Sequence, residues 1–141
     1  MRPKTILFAC VGNSFRSQIA EGFAKAYAKP GAADIRSGGT NPSGVVHRGA
    51  IRIMKERGID IAGHTSKVID LTFADAADAF ITLCGPMDDA CPARIAKRAL
   101  DWSLPDPSWS SDEEQRKIRD QIEDKVKRLL RDWNILRDGV R

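Results

Sequence analysis

The chain has 141 residues, which predicts a single domain over residues 1–141 with one core. Its 23 basic and 19 acidic residues give a net charge of +4, which suits an anionic substrate but is too small to indicate nucleic-acid binding. No apolar run is long enough to span a membrane and no signal peptide opens the chain, so we expect a cytosolic protein without a membrane partner. We also expect a monomer. Three cysteines, an odd number, favour reactive thiols over a structural disulfide framework.

The first predicted elements are a strand and a helix joined by a short loop. The apolar run at residues 5–9 predicts a buried strand, and residues 19–27 carry apolar side chains at helical spacing. The intervening residues 10–17 therefore lie where unpaired N–H groups and the helix dipole favour an anion. We expect Gly12 to supply the backbone freedom of a tight cradle, and Arg16 to add a bidentate clamp for a tetrahedral oxyanion.

Cys10 lies at the start of this cradle. The dipole, donors and guanidinium that bind an anion also stabilise a thiolate, so we expect the pKa of Cys10 to fall below its ordinary value of about 8.5. A thiolate that faces a bound oxyanion is a nucleophile. The alternative is a buried structural cysteine beside an ordinary strand-to-helix turn. The presence of Arg16 and Ser17 at the start of a helix favours the nucleophile.

The remaining chain alternates between predicted strands and helices. Strands are predicted at 33–37, 78–83 and 99–104, and helices at 47–57 and from Ser111 onward, where Glu114 completes a capping-box pattern. Residues 38–44 are a loop by composition, residues 68–76 are ambiguous, and residues 85–91 favour a mobile loop. This alternation predicts a small parallel sheet with both faces covered, whose ligands bind beyond the carboxyl ends of the strands. Cys10, Cys84 and the turn after Leu104 would meet at that edge.

Cys84 and Cys91 are too far apart for a redox CxxC motif, and too few partner ligands accompany them for a zinc site, so we predict no bound metal. They are either two ordinary cysteines near a strand end or partners of Cys10. As partners, Cys84 would attack a substrate adduct on Cys10 and form a Cys10–Cys84 disulfide. Cys91 would then attack Cys84 and release Cys10, which needs a leaving thiolate of low pKa.

Asp106 lies in a turn that two prolines hold in an extended geometry. Trp102 and Trp109 are close enough in sequence to shield its carboxyl, and a partly desolvated carboxyl near an anion keeps its proton longer, as a general acid must. A solvated turn aspartate explains the same position equally well.

Taken together, these residues resemble the thioredoxin-coupled arsenate reductases, which share the low-molecular-weight tyrosine phosphatase fold. The resemblance covers nearly the whole chain and is carried by residues 10–18 with Glu21, and by 64–66, 82–84, 88–92 and 106–107. The loop alone is specific only to the superfamily. The pair Cys84 and Cys91 separates the reductases from the phosphatases, and Gln18 is also typical of the reductases.

The resemblance implies a flavodoxin-like three-layer α/β sandwich, with a four-stranded parallel sheet in the order 2-1-3-4. It implies that Cys10 attacks arsenate, that Asp106 protonates the departing oxygen, and that Cys84 and Cys91 form the relay. It also implies that the protein binds no cofactor and receives its electrons from reduced thioredoxin, although the sequence does not exclude a glutaredoxin as the donor. A weak phosphatase side activity is expected as well. The implied oxyanion contacts are Val11, Gly12, Asn13, Ser14, Phe15, Arg16 and Ser17.

Two departures from the family pattern have consequences. Some members bind potassium near the positions of Asn13, Glu21 and Ser37, with an aspartate shortly after the His-Thr-Ser stretch. Here Lys67 takes the place of that aspartate, so we predict no potassium requirement. Phe15 stands where some relatives have a further cysteine, which predicts fewer oxidative side products.

Two other functions remain compatible with the sequence. A phosphatase would form a Cys10 phosphoenzyme and would not need Cys84 and Cys91. A thiol-based oxidant sensor or arsenic-binding protein would bind or become oxidised without turnover.

Overall fold

The computed structural model describes residues 2–84 and 100–141, so the predicted 85–91 loop and Cys91 lie outside the described residues. The helices and strands are β1 (Lys4–Cys10), α1 (Arg16–Tyr27), β2 (Ala33–Gly39), α2 (Arg48–Lys55), α3 (Leu71–Ala76), β3 (Ala79–Thr82), β4 (Leu100–Asp101) and α4 (Asp112–Asp132).

The four strands form one parallel sheet in the order β2-β1-β3-β4, as predicted. β1 is central and pairs along its whole length with β2, so that Cys10 lies opposite Gly39. On its other side β1 pairs with β3, from Ile6 opposite Ala79 to Ala9 opposite Thr82. The carboxyl ends of these three strands therefore meet at one edge of the sheet, next to Cys10.

Both faces of the sheet are covered because successive side chains of β1 point to opposite sides. Ile6 and Phe8 belong to the larger apolar cluster, to which α1, α2 and α4 contribute side chains such as Phe23. Leu7 and Ala9 belong to a smaller cluster with residues of α3 and β3. This layering confirms the predicted α/β sandwich. Within the described ranges, no helix has the length and apolar character needed to cross a bilayer.

Several predicted elements differ from the structure at their ends or in their type. β2 continues two residues beyond its predicted end, to Gly39, because it pairs with β1 as far as Cys10, and β3 is one residue shorter than predicted at each end. α2 ends at Lys55, two residues before the predicted end, and the chain then turns through Gly58, whose φ is +73°. The ambiguous stretch resolves into a bridge between Val68 and Gly39, followed by α3.

β4 ends at Asp101, three residues before the predicted end at Leu104, and residue 99 of the predicted strand lies outside the described residues. Both residues of this edge strand are exposed, so burial does not extend it. The Asp101 carboxylate accepts a hydrogen bond from Ser103 N at 2.9 Å, which favours a local turn over further strand. The last helix begins as predicted, because the Ser111 hydroxyl accepts a hydrogen bond from Glu114 N.

Asp78 fixes the register between β1 and β3. Its carboxylate accepts hydrogen bonds from Thr5 N at 2.8 Å and Thr5 Oγ1 at 3.1 Å, while Asp78 N donates to Thr5 Oγ1 at 2.9 Å. Arg2 adds a two-point ion pair on the same carboxylate. The Arg2 guanidinium and the Thr5 amide lower the pKa of Asp78 to about 2. These contacts of Asp78 with Thr5 and Arg2 (the Asp78 clasp) therefore favour the ionised carboxylate.

We predict that Asp78→Asn lowers stability at neutral pH and removes part of the acid dependence of unfolding. A carboxyl whose pKa is lower in the folded chain contributes stability above its unfolded pKa, and that contribution is lost as the pH falls from about 4 to about 2. Urea unfolding of both proteins between pH 7 and pH 2.5 measures the effect. The stability difference should be largest at pH 7 and should shrink below pH 4. A difference that is independent of pH would contradict this role of the charge.

Candidate active site

The loop between β1 and α1, residues 10–17 (the Cys10 loop), forms the centre of the site. The Cys10 sulfur accepts a hydrogen bond from Asn13 N at 3.3 Å and lies 2.9 Å from Ser17 Oγ. The Ser17 oxygen itself accepts a hydrogen bond from Asn13 Nδ2 at 2.8 Å, which directs the Ser17 O–H toward the sulfur. The Asn13 amide and the Ser17 hydroxyl therefore both converge on the Cys10 sulfur.

Asn13 gives the Cys10 loop its shape. It is fully buried, and its φ of 46° is a left-handed conformation that asparagine tolerates better than most residues. Its side-chain nitrogen also donates to Ser37 Oγ at 2.9 Å, and its side-chain oxygen accepts from Gln18 Nε2 at 3.1 Å and Lys67 N at 3.0 Å. These bonds tie the loop to α1, to β2 and to the segment that precedes α3.

The close packing of the Cys10 loop requires a glycine at position 39, beneath the loop, and not at position 12. Gly12 does not have a positive φ, and a Cβ there would meet only the Ser14 Cβ at 3.9 Å, so the prediction that Gly12 supplies the backbone freedom is wrong. A Cβ on Gly39, in contrast, would lie 2.3 Å from the Val11 carbonyl oxygen and 3.0 Å from Asn13 N. The end of β2 therefore needs a glycine so that the Cys10 loop can pack against it.

Arg16 joins three parts of the site. Its guanidinium is buried, and Nη1 donates to the carbonyl oxygens of Leu83 at 3.3 Å and Leu104 at 2.8 Å. These contacts bring the segments that follow β3 and β4 to the carboxyl end of β1. Both of these hydrogen bonds to described residues use Arg16 Nη1. The N–H groups at Nε and Nη2 of Arg16 are therefore left to bind an oxyanion.

A pocket of about 40 Å³ opens at this edge of the sheet. This is smaller than the range of about 300–1,000 Å³ that is usual for drug-sized ligands, so it fits a small anion. Its lining residues are Cys10, Gly12, Ser14, Phe15, Arg16, Asp106 and Ser108. Four of the seven predicted oxyanion contacts thus line the pocket. Val11, Asn13 and Ser17 are not in this lining; Asn13 and Ser17 instead support Cys10 from within the protein.

Asp106 reaches the pocket, but it is not shielded as predicted. The Trp102 ring packs near Phe8, and Trp109 is 93% exposed. Partial burial raises the pKa of Asp106, but hydrogen bonds from Ser108 Oγ at 2.6 Å and Ser108 N at 3.0 Å, followed by the charges of Arg16 and His47, bring this pKa below its ordinary value. With the pocket empty, the Asp106 carboxyl therefore favours its ionised form.

The two described cysteines lie at the ends of neighbouring strands. Leu83 N donates to the Ala9 carbonyl at 2.9 Å, which continues the pairing of β3 with β1 and brings Cys84 to the edge where Cys10 lies. Both are buried, with 2% of Cys10 and 1% of Cys84 exposed. Cys10 is a free thiol, whereas Cys84 takes part in a disulfide.

A cluster of charged and polar groups lies beneath the Cys10 loop. Lys67 Nζ donates to the Thr65 carbonyl at 3.0 Å and to Ser37 Oγ at 3.3 Å, and it lies 3.8 Å from a Glu21 carboxylate oxygen. Burial raises the pKa of Glu21, but hydrogen bonds from Lys25 and Ser37 and the charge of Lys67 lower it overall. An ammonium therefore occupies the surroundings that would hold a potassium ion, and these residues do not fit a bound cation.

Comparison with known proteins agrees with this geometry. A family model described as low molecular weight phosphotyrosine protein phosphatase matches residues 5–139. The chain belongs to this family. It is 41% identical over 134 residues to an arsenate reductase of Halalkalibacterium halodurans, a match that covers 90% of this chain and 95% of that one. The resemblance that the sequence predicted is confirmed.

Two solved structures extend the comparison. An arsenate reductase in the phosphate binding state is 40% identical, with a TM-score of 0.77 over 92% of this chain and 98% of that one. A thioredoxin-dependent arsenate reductase of Corynebacterium glutamicum is 29% identical, with a TM-score of 0.75 over 94% of this chain and 62% of that one.

Ser108 and His47 belong to this phosphatase-family site, although the sequence did not single them out. Ser108 lines the pocket and binds the Asp106 carboxylate, and the Asp-Pro-Ser order is the signal that predicts such a turn. His47 N donates to the Ser14 carbonyl at 3.0 Å, and its ring packs edge-on to Phe15. No local sequence pattern indicates that His47 contacts Ser14 and Phe15, because these residues lie in segments that are distant in the sequence.

We predict that the wild-type protein has the same melting temperature in potassium chloride as in choline chloride of equal ionic strength. Glu21 is already paired with Lys25, and the Lys67 ammonium lies 3.8 Å from its other carboxylate oxygen, where a cation would add its charge. The variant Lys67→Asp removes that ammonium and adds a carboxylate, so potassium should raise its melting temperature by about 2 °C or more.

Lys55→Asp is the matched control, because Lys55 is exposed at the end of α2, and it should show no potassium effect. A potassium-dependent rise in the wild-type melting temperature would contradict the prediction, as would clear stimulation of its turnover.

Proposed function

We propose that this protein reduces arsenate to arsenite through a relay of Cys10, Cys84 and Cys91, with reduced thioredoxin as the electron donor. The observation that carries the proposal is a cysteine with convergent donors at a small anion-sized pocket, in a chain 41% identical to an arsenate reductase over nearly its whole length. The thioredoxin dependence of the Corynebacterium glutamicum relative supports the choice of donor.

In the first step, the pocket binds arsenate and Cys10 attacks it. The outward N–H groups of Arg16 and the backbone N–H groups of the Cys10 loop bind the oxyanion, in the way that helix N-termini bind phosphate. The Cys10 thiolate forms a sulfur–arsenic bond, and one arsenic–oxygen bond breaks. Asp106 gives its proton to the departing oxygen, which leaves as water.

The protonation of Asp106 depends on the substrate in this scheme. The carboxyl favours its ionised form in the empty pocket, because Ser108, Arg16 and His47 lower its pKa overall. A bound oxyanion adds negative charge beside Asp106 and partly neutralises Arg16, and both effects raise the pKa of the carboxyl. Asp106 would therefore take up a proton together with the substrate and hold it for the leaving oxygen.

In the second step, Cys84 displaces arsenite. The Cys84 thiolate attacks the Cys10 sulfur, a disulfide forms, and the electron pair of the sulfur–arsenic bond stays on arsenic, which is thereby reduced from As(V) to As(III). Cys91 then attacks the Cys84 sulfur and releases the Cys10 thiolate, and the dithiol of thioredoxin reduces the Cys84–Cys91 disulfide. The burial of Cys10 and Cys84 at neighbouring strand ends, and the participation of Cys84 in a disulfide while Cys10 is free, support this order.

A phosphatase is the second candidate, and the match to the low molecular weight phosphotyrosine protein phosphatase family supports it. The same pocket binds phosphate esters, and a Cys10 phosphoenzyme needs the same nucleophile, the same guanidinium and the same acid. The two reactions differ in their electrons. Phosphoryl transfer consumes none, whereas the reduction of arsenate consumes two in each turnover.

We predict that the wild-type protein, with thioredoxin, thioredoxin reductase and NADPH, oxidises one NADPH for each arsenite formed. Cys91→Ser should form about one arsenite per protein molecule and then stop with Cys10 held in a disulfide with Cys84, because the resolving thiol is missing. Cys84→Ser should form none. NADPH absorbance, arsenite speciation and mass spectrometry of the trapped disulfide measure these outcomes.

Hydrolysis of p-nitrophenyl phosphate by the same variants is the internal control for an intact pocket. It should persist in Cys84→Ser and Cys91→Ser and disappear in Cys10→Ser. Wild-type hydrolysis without any arsenate-dependent NADPH oxidation would reject the reductase and leave the phosphatase.

A further inference from the structure

The segment that carries Asp106, residues 104–110 (the acid loop), is irregular, so its position depends on contacts with other elements. Arg16 binds its first residue through the Leu104 carbonyl at 2.8 Å. Within the loop, Ser110 N donates to the Pro107 carbonyl at 3.0 Å and closes a turn. Asp106 itself is bonded to Ser108, which moves with it. The contacts that fix this turn relative to the pocket must therefore come from outside the loop.

Gln115 in the first turn of α4 makes these contacts. It is only 4% exposed, and its side-chain nitrogen donates to the carbonyl oxygens of Pro107 at 3.2 Å, Ser110 at 3.4 Å and Ser108 at 3.5 Å. The two N–H hydrogens of one buried amide are therefore shared among the three carbonyls of the turn next to Asp106, with Pro107 the nearest acceptor.

The side-chain oxygen of Gln115 shows which interaction sets the orientation of this amide group. Gln115 Oε1 is buried and has no hydrogen-bond partner among the described residues. It faces Gly49 at the start of α2, where an added Cβ would lie 2.8 Å away. A buried acceptor without a partner is unfavourable, and turning the amide over would place that acceptor against three carbonyl oxygens. The contact with the acid loop therefore determines the orientation of the side chain.

A second contact on the acid loop is weaker. The exposed Trp109 ring packs edge-on to the His47 ring at 5.8 Å, and His47 in turn contacts Phe15 of the Cys10 loop at 5.2 Å. Because Trp109 is 93% exposed, this contact buries little surface. Arg16 thus holds the acid loop at Leu104, and Gln115 is the buried polar anchor of its turn at residues 107–110.

We propose that Gln115 is a positioning residue that holds the acid loop so that the Asp106 carboxyl faces the oxyanion bound at Cys10. The proposal rests on the proposed function in one respect, the role of Asp106 as the acid, which arsenate reduction and phosphoester hydrolysis share. Displacing a catalytic group by about 1 Å lowers rates by up to about 100-fold. The binding of the oxyanion should change little, because Arg16 and the Cys10 loop provide it.

The test compares Gln115→Met, which keeps the length of the side chain but removes its donors, with Gln121→Met on an exposed part of the same helix. Turnover is measured with arsenate in the thioredoxin system and with p-nitrophenyl phosphate. Oxyanion affinity is measured as protection of Cys10 from iodoacetamide by inorganic phosphate, which has the shape of arsenate but is not reduced by thiols. We expect Gln115→Met to lower kcat about 10- to 100-fold while the protection constant changes less than threefold. Gln121→Met should match the wild type.

A double-mutant cycle separates positioning from general structural damage. Asp106→Asn removes the acid, so adding Gln115→Met to it should lower kcat by no more than about twofold if Gln115 acts through Asp106. Losses that multiply would show that Gln115 acts elsewhere and would overturn the proposal. A folded Gln115→Met protein with wild-type kcat would also overturn it. If Gln115→Met does not fold, Gln115→Asn, which withdraws the amide by one methylene, should show the same pattern.

The activities of the wild-type protein test the proposed function separately from the role of Gln115. Wild-type hydrolysis without arsenate reduction would reject the reductase, and Gln115 would then be judged on hydrolysis alone. A wild-type protein without either activity would leave Asp106 no acid role and would overturn both proposals.

Discussion

The shape of the site depends on a single buried amide, that of Asn13. Its backbone takes a left-handed conformation in the middle of the Cys10 loop, and its side chain is satisfied on both sides, by Ser17 and Ser37 at the nitrogen and by Gln18 and Lys67 N at the oxygen. A buried polar network of this kind favours one arrangement strongly, because any partly bonded alternative leaves polar groups without partners. The direction of the donors toward Cys10 follows from this arrangement.

The sheet supplies the second part of the constraint. β1 ends at Cys10, β2 ends at the glycine that lets the Cys10 loop pack closely, and the Asp78 clasp sets the register that brings Cys84 to the same edge. None of these contacts takes part in chemistry. They bring Cys10 and Cys84 to one edge of the sheet, and the same framework would serve either phosphoryl transfer or reduction. The family match and the proposed relay are compatible for this reason.

Much of this arrangement could be predicted from the sequence because it follows local patterns. The apolar run before Cys10, the helical spacing after it and the cap at Ser111 predict β1, α1 and α4, since each signal lies within the element it defines. The downstream end of β4 was predicted three residues too late because burial does not define the end of an exposed edge strand. Contacts between distant segments, such as that of Gln115 with the acid loop, have no local signal at all. The catalytic roles of Cys10, Arg16, Cys84, Cys91 and Asp106, the monomeric state and the cytosolic location stay predictions.

The position of Arg16 affects how any mutation at this residue must be interpreted. Its Nη1 group is bonded to the carbonyl oxygens of Leu83 and Leu104, so the side chain is at the same time a joint between strand ends and a candidate anion ligand. Removing it would leave two buried acceptors without their donor and would loosen the acid loop as well as the anion site. The loss of activity in such a variant would therefore overstate the affinity of the guanidinium for the oxyanion. Lysine, with a single ammonium group, cannot reproduce both sets of contacts with the same geometry.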